Sequence, residues 1–185
     1  MARRLHAIGV SADTLTFTGF AVGVLAALLI AGGFFTVALG AILLSRLLDG
    51  LDGAVARLTM PTDRGGFLDI TLDFLFYAAI PLAFAVADPA RNALAAAALL
   101  AAFMGTGSSF LAFATIATKR GMTSTAYPDK SFFFLGGLTE AGETLAFFIA
   151  MCFWPHQFAW LAWIFCGLCA LTIAMRIYWG YRAFK

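Results

Sequence analysis

Apolar stretches of about twenty residues follow one another along this chain, separated by short breaks that carry glycine, proline or aspartate. A helix needs about twenty mostly apolar residues to cross a bilayer, and the residues in the breaks are those typical of turns. We therefore predict an all-α integral membrane protein. Its six transmembrane helices are expected at residues 14–33, 35–58, 65–87, 92–118, 131–153 and 156–180. The chain is expected to form a single domain, 1–185.

The scarcity of charge excludes several other classes of protein. Charged residues make up 12% of the chain and hydrophobic residues 62%, whereas about a quarter of the residues of a soluble domain are charged. So few charges cannot cover a surface that faces water. A net charge of +2 also provides no basic face for nucleic acid. The lipid bilayer is thus an expected partner, and nucleic acid is not.

The basic residues predict the orientation of the chain in the membrane. With six spans, both termini share one side with the loops near 59–64 and 119–130, and Arg91 alone of the twelve basic residues belongs to the other side. The positive-inside rule makes the basic side cytoplasmic. Residues 2–12 mix basic and apolar side chains, which favours a short amphipathic helix on the membrane surface. We expect a multi-pass protein of a cell's inner (cytoplasmic) membrane, with both termini on the cytoplasmic side.

Four aspartates lie where the second and third predicted spans reach the cytoplasmic surface. Asp49 and Asp52 are three residues apart, and Asp69 and Asp73 are four apart, so each pair shares one helix face. The short loop between the spans makes these helices antiparallel neighbours, and the four carboxylates can then face one another. Such carboxylates repel when ionised. Two divalent cations would balance them, and ligands that are all oxygen suit Mg²⁺ or Mn²⁺.

Other interpretations of the aspartates remain open. Arg46 and Arg57 could form ion pairs with them in a purely structural network, although two arginines leave two of the four negative charges unbalanced. The same aspartates could serve a divalent-cation transporter. Transport calls for carboxylates toward both membrane faces, however, and these four lie at one end of their helices. A membrane scaffold without activity is a third alternative.

The spacing of these residues resembles that of a known family. Residues 49–73 contain D-x-x-D-G-x-x-A-R and then G-x-x-x-D-x-x-x-D, the signature of the CDP-alcohol phosphatidyltransferases. All eight fixed positions are present: Asp49, Asp52, Gly53, Ala56, Arg57, Gly65, Asp69 and Asp73. The length and the six-span layout extend the resemblance over nearly the whole chain, which would form one CDP-alcohol phosphatidyltransferase membrane domain.

The resemblance implies a metal-dependent enzyme of phospholipid biosynthesis. It would transfer a phosphatidyl group from CDP-diacylglycerol to an alcohol and release CMP. The resemblance implies two Mg²⁺ or Mn²⁺ ions per site, held by Asp49, Asp52, Asp69 and Asp73, with Asp73 also acting as general base. It implies contacts to the nucleotide or its phosphates from Asp52, Gly53, Ala56, Arg57, Thr62 and Gly65. It also implies a homodimer with one site in each protomer.

A further motif of this family, often P-N-x-x-T, lies at the start of the first span. Residues 12–16 read A-D-T-L-T here, so Thr16 matches, whereas Ala12 and Asp13 replace proline and asparagine. We expect Asp13 to cap the helix. Its negative charge disfavours contact with phosphate, so Asp13 and Thr16 are expected to contact the cytidine base or ribose.

The acceptor alcohol is the least constrained part of the prediction. A phosphorylated acceptor such as glycerol 3-phosphate or inositol phosphate needs a basic pocket, for which the candidates are Arg46, Arg64, Lys119, Arg120 and Lys130. Positive-inside anchoring also explains those in loops. Glu140 and Glu143 could instead face a cationic amino alcohol or pair with basic residues. Residues 69–74 read D-I-T-L-D-F rather than the D-P-x-A-D-K associated with the glycerol-phosphate enzymes, which disfavours that acceptor.

Overall fold

The computed structural model describes residues 1–122 and 138–185, and all regular structure in these two ranges is helical. The described α-helices are α1 (Ala2–Ala7), α2 (Ala12–Ala31), α3 (Phe35–Ala56), α4 (Asp63–Ala87), α5 (Pro89–Lys119), α6 (Ala141–Phe153) and α7 (Phe158–Ala183). A 3-10 turn, Pro155–Gln157, directly precedes α7. The predicted all-α class is therefore confirmed for the described residues.

Four of the described helices are long and apolar enough to cross a membrane, namely α2, α4, α5 and α7 with its preceding turn. Helix α3 has 22 residues, which is enough to span, but it carries Arg46, Asp49 and Asp52. Helix α6 has 13 residues, and the first part of the predicted span 131–153 lies outside the described residues. The count of six spans stays a prediction at these two places.

The N-terminal segment forms a shorter helix than the sequence predicts. Helix α1 ends at Ala7 and has no buried residue, and Gly9 follows with a positive φ of 83°. A residue with a side chain is strained in that conformation, so glycine allows the turn between α1 and α2. The location of residues 2–12 on a membrane surface stays a prediction.

The chain divides into two compact units, Met1–Ala93 and Leu94–Lys185. In the first unit, α2 packs against both α3 and α4. Two glycines of α2 make this possible, because a Cβ on Gly19 would lie 3.3 Å from the Cβ of Leu48 on α3, and one on Gly23 would lie 2.6 Å from the ring of Phe76 on α4. Small residues at such positions let helices approach closely, and α2 thereby reaches the polar ends of its neighbours.

Side-chain caps fix where α2 and α4 begin. Ser11 caps α2, its Oγ accepting a hydrogen bond from the Thr14 backbone N–H at 3.2 Å. The prediction that Asp13 caps this helix is therefore wrong. Asp13 lies in the first turn, where a negative charge is favourable. Thr62 caps α4, its Oγ1 accepting from the Gly65 N–H at 3.1 Å.

The described part of the second unit has a core of aromatic residues and a buried arginine. The ring of Phe103 packs edge-on against those of Phe148 and Phe165, with centroid distances of 6.3 Å and 5.7 Å. Arg176 on α7 is 8% exposed, and its Nη1 donates to the Thr106 carbonyl at 2.8 Å. Its Nε has no hydrogen-bond partner among the described residues.

Candidate active site

Three of the four motif aspartates form a cluster that could hold a metal ion. Asp49 on α3 and Asp69 and Asp73 on α4 each offer a carboxylate oxygen, and these oxygens all lie within 4.8 Å of one another. We call these three residues the carboxylate cluster. Asp69 is exposed, whereas Asp49 and Asp73 are partly buried. An all-oxygen donor set of this size fits Mg²⁺ or Mn²⁺, because both prefer carboxylate ligands.

Asp52 has a different environment. It is 5% exposed, and its Oδ2 accepts a hydrogen bond of 2.6 Å from the hydroxyl of Thr16 on α2. Thr16 Oγ1 also lies 3.1 Å from the Ala12 carbonyl oxygen. The hydroxyl has only one proton to donate, and we assign it to Asp52 because that bond is shorter. A hydrogen bond to a charged acceptor is among the stronger ones in proteins. Two residues predicted to contact the nucleotide thus lie side by side, across two helices.

Arg46 contacts the carboxylate cluster directly. Its Nη1 lies 2.6 Å from Asp73 Oδ1 and 3.5 Å from Asp49 Oδ2. The guanidinium carbon lies 4.1 Å from the ring centroid of Phe76, a cation–π contact. The ion pairing foreseen as an alternative for Arg46 is therefore present, yet it does not neutralise the three carboxylates. The predicted acceptor role of Arg46 stays a prediction.

The end of α3 carries the glycine and arginine of the motif. Gly53 has open space beside it except for Arg57, since a Cβ at residue 53 would lie 3.4 Å from Arg57 Nη1. Arg57 is exposed and follows the last helical residue, Ala56. Within the described residues Arg57 makes no ion pair, so its guanidinium is available to a phosphate.

The first turn of α4 meets the first turn of α2. Arg64 Nη2 lies 2.5 Å from Asp13 Oδ2, and the Arg64 side chain is 77% exposed. A Cβ on Gly65 would lie 3.2 Å from Thr62 Oγ1 and 3.9 Å from Asp13 Oδ1. Asp13, Thr62 and Gly65, all predicted to contact the nucleotide, are thus neighbours. Arg64, which was predicted to line the acceptor pocket, forms an ion pair with Asp13.

The remaining acceptor candidates belong to the second unit or lie outside the described residues. Lys119 is the last residue of α5. Arg120 Nη2 donates to the Phe184 carbonyl at 2.7 Å. Lys130 lies outside the described residues. Glu140 and Glu143 form a capping box at the start of α6, in which Glu143 Oε2 accepts from the Glu140 N–H at 3.0 Å.

Two polar contacts were not foreseen from the sequence. The Thr16–Asp52 bond depends on how α2 packs, which no local pattern encodes. Arg176 could have been noticed, because a lone arginine inside an apolar span is a recognised indicator of function. Its burial against Thr106 and Phe110, with its guanidinium 5.7 Å from the phenyl centroid, makes it a polar centre of the second unit.

The chain belongs to the CDP-alcohol phosphatidyltransferase family, whose model matches residues 10–175. It is 54% identical over 183 residues to the inner membrane protein YnjF of Escherichia coli (strain K12), an alignment that covers 99% of this chain and 89% of the relative. A 69-residue segment is 45% identical to the archaetidylinositol phosphate synthase of Methanothermobacter thermautotrophicus, covering 37% of this chain and 35% of that protein.

Solved structures of a Mycobacterium tuberculosis enzyme share the fold. The phosphatidylinositol phosphate synthase PgsA1 with CDP-DAG bound matches with a TM-score of 0.77 and 22% identity, over 97% of this chain and 91% of that one. The same enzyme in complex with manganese and citrate matches with a TM-score of 0.76 and 23% identity, over 97% and 87%. Family membership confirms the resemblance found in the sequence, and with it a transferase of phospholipid biosynthesis.

Proposed function

We propose that this enzyme uses divalent metal to transfer the phosphatidyl group of CDP-diacylglycerol to an alcohol, with release of CMP. The observation that carries the proposal is the carboxylate cluster, with oxygens from three motif aspartates within 4.8 Å of one another. Family membership supports the reaction class. The mycobacterial structures with CDP-DAG and with manganese support the donor and the kind of metal. The family match gives no support to the alternative of a cation transporter.

Asp49, Asp69 and Asp73 would hold the metal, and Asp52 would complete a set of four for two ions. The Thr16 hydroxyl holds Oδ2 of Asp52, which orients this carboxylate. When bound, the ions would neutralise the pyrophosphate and stabilise the charge that develops on the departing CMP. The proposed ion is Mg²⁺ or Mn²⁺, because the same oxygen donors accept both.

The reaction requires one bond to form and one to break. The acceptor hydroxyl oxygen forms a bond to the β-phosphorus, and the bond from that phosphorus to the bridging oxygen breaks, so that CMP leaves with the electron pair. Asp73 would accept the hydroxyl proton. Its Oδ1 accepts a hydrogen bond from Arg46, whereas its Oδ2 has no hydrogen bond in the described residues and can take the proton.

The nucleotide would lie along the ends of α2, α3 and α4. Arg57, without an ion pair in the described part of the chain, would bind a phosphate beside the open face of Gly53. Asp13, Thr62 and Gly65 would line the first turn of α4, and Asp52, Ala56 and Thr16 complete the proposed set. We also propose a single domain with six spans, cytoplasmic termini and site, and a homodimeric assembly.

Product analysis tests the reaction. Purified protein in lipid vesicles would receive CDP-diacylglycerol and a pool of glycerol 3-phosphate, inositol phosphate and amino alcohols, and mass spectrometry would identify the new lipid. We expect CMP and one new phospholipid. Asp73→Asn should lower kcat by about 10³-fold, since it removes both a ligand and the base.

The matched control is Asp88→Asn, which removes the charge of a partly exposed aspartate that pairs with Arg91 at the other end of α4. It should retain wild-type CMP release. Equal rates for Asp73→Asn and Asp88→Asn would contradict the assigned base. Metal flux into the vesicles without CMP release would favour the transporter instead.

A further inference from the structure

Arg46 is the basic residue that meets the carboxylate cluster in the described part of the chain. Its Nη1 is 2.6 Å from Asp73 Oδ1 and 3.5 Å from Asp49 Oδ2. The other ion pairs of the first unit join Arg64 to Asp13 and Arg91 to Asp88, so they leave these carboxylates untouched. The Arg46 guanidinium therefore contacts two of the three residues that we propose as metal ligands.

Charge, rather than a complete set of hydrogen bonds, holds this guanidinium in place. The Arg46 side chain is 12% exposed, and its Nε is buried with no hydrogen-bond partner among the described residues. Its Nη2 lies 3.4 Å from Ser45 Oγ, a long contact. Buried donors of a purely structural arginine are normally paired. The short bond to Asp73 and the contact with Phe76 at 4.1 Å dominate here.

A guanidinium and a metal ion compete for the same carboxylates. An Asp73 Oδ1 that accepts a hydrogen bond from Arg46 would be a weaker ligand for a cation. The positive charge of Arg46 would also repel a divalent ion held by the same carboxylates. Without metal, the carboxylates of the cluster repel one another across less than 4.8 Å, and Arg46 offsets part of this repulsion.

We infer that Arg46 is a resident counter-cation of the metal centre. It stabilises the carboxylate cluster when no metal is bound, and it competes with metal for Asp73, so that it sets the metal affinity of the site. It is a positioning residue, acting through Asp73. The inference rests on the proposed metal dependence, and it assigns Arg46 a role in metal binding instead of acceptor binding.

The test is direct measurement of Mn²⁺ binding to the full chain in detergent, following free Mn²⁺ by electron paramagnetic resonance. Arg46→Gln should bind Mn²⁺ about tenfold more tightly than wild type, because a like charge beside the ion has been removed. Arg46→Lys keeps the charge and should bind within about fivefold of wild type. The control Arg91→Gln removes a charge from an exposed pair and should leave binding unchanged.

Thermal unfolding provides a second measurement on the same proteins. Metal-free Arg46→Gln should unfold at a lower temperature than metal-free wild type, and saturating Mn²⁺ should remove the difference. If folded Arg46→Gln can be purified only when the buffers contain Mn²⁺, that result would also support the inference. If Arg46→Gln folds under neither condition, Arg46→Lys decides: a change in Mn²⁺ affinity beyond about fivefold would overturn the inference, and a smaller change would support it.

The inference would also be overturned if Arg46→Gln bound Mn²⁺ with an affinity equal to or weaker than that of wild type. Arg46 would then only orient the ligands. That failure differs from failure of the proposed function. If wild type itself binds no Mn²⁺, the metal-dependent reaction is contradicted, and the role of Arg46 with it.

Discussion

At the scale of single residues, the Thr16–Asp52 bond connects motif and fold most directly. Asp52 is a motif residue on α3, and the hydroxyl that holds it belongs to α2. Helical spacing predicted that all four motif aspartates would face one another, and three of them, Asp49, Asp69 and Asp73, form the carboxylate cluster. The same spacing could not predict that Asp52 would bond to Thr16 or that Arg46 would bond to Asp73, because both contacts depend on how three helices pack.

Replacing Thr16 tests this contact. Thr16→Val keeps the shape of the side chain but removes the hydroxyl that donates to the buried Asp52 carboxylate, which costs about 1–3 kcal/mol of stability. Thr16→Ser restores the hydroxyl and should recover most of the loss. The measurement is thermal unfolding in detergent, together with KM for CDP-diacylglycerol.

Thr18→Val is the matched control, because Thr18 is exposed on the same helix and donates to the Thr14 carbonyl of its own turn. It should change stability by less than about 0.5 kcal/mol. If Thr16→Val and Thr18→Val behave alike, the Thr16–Asp52 bond does not stabilise the site.

At the scale of elements, α2 organises the first unit, since it packs against both helices that carry the aspartates. Its apolar length was evident from the sequence, and so was that of α4. The starts of these helices were less predictable: we expected residues 14 and 65, and the helices begin at Ala12 and Asp63. The hydroxyls of Ser11 and Thr62 that cap them explain the difference. A capping residue is a local sequence signal, but the length of an apolar stretch alone does not reveal where the cap lies.

Two glycine substitutions test the close packing of α2. A Cβ on Gly23 would lie 2.6 Å from Cδ2 of Phe76, and Phe76 is 1% exposed and supports Arg46. Gly23→Ala should therefore destabilise the protein by about 1–3 kcal/mol, and CMP release should fall as the Phe76 ring moves. Thermal unfolding and a CMP assay measure the two effects.

Gly40→Ala is the control, because a Cβ at residue 40 would meet no atom within 4 Å. Alanine favours a helix over glycine, so Gly40→Ala should be neutral or stabilise by up to about 1 kcal/mol. A Gly23→Ala protein as stable as Gly40→Ala would show that α2 can move away from α4 at little cost.

At the scale of the whole molecule, the positions of the few charged residues predicted more of the fold and the site than any other sequence feature. Four of the described helices could cross a membrane by length and composition, and α3 differs from them because it carries charged residues of the site. Family and fold were predictable from an eight-residue pattern and the apolar lengths. The acceptor was not, because its candidate residues are scattered over both units and one of them, Lys130, lies outside the described residues.

The orientation follows from the positive-inside rule and can be tested by labelling. In a background without Cys152, Cys166 and Cys169, a membrane-impermeant thiol reagent should label Asp88→Cys in intact cells. It should label Lys185→Cys only after the cells are opened. Labelling of both positions under the same condition would contradict the proposed arrangement of spans.

The central claim is that the carboxylate cluster is a metal centre that CMP release requires. The most direct measurement is CMP release from CDP-diacylglycerol by the purified protein, with an alcohol pool present, as a function of Mn²⁺ concentration after treatment with chelator. We predict no release without metal and a saturable rise on Mn²⁺ addition. The rise should be lost in Asp69→Asn and retained in Asp88→Asn. CMP release at the full rate in chelator, or an Asp69→Asn protein that responds to Mn²⁺ as wild type does, would contradict the claim.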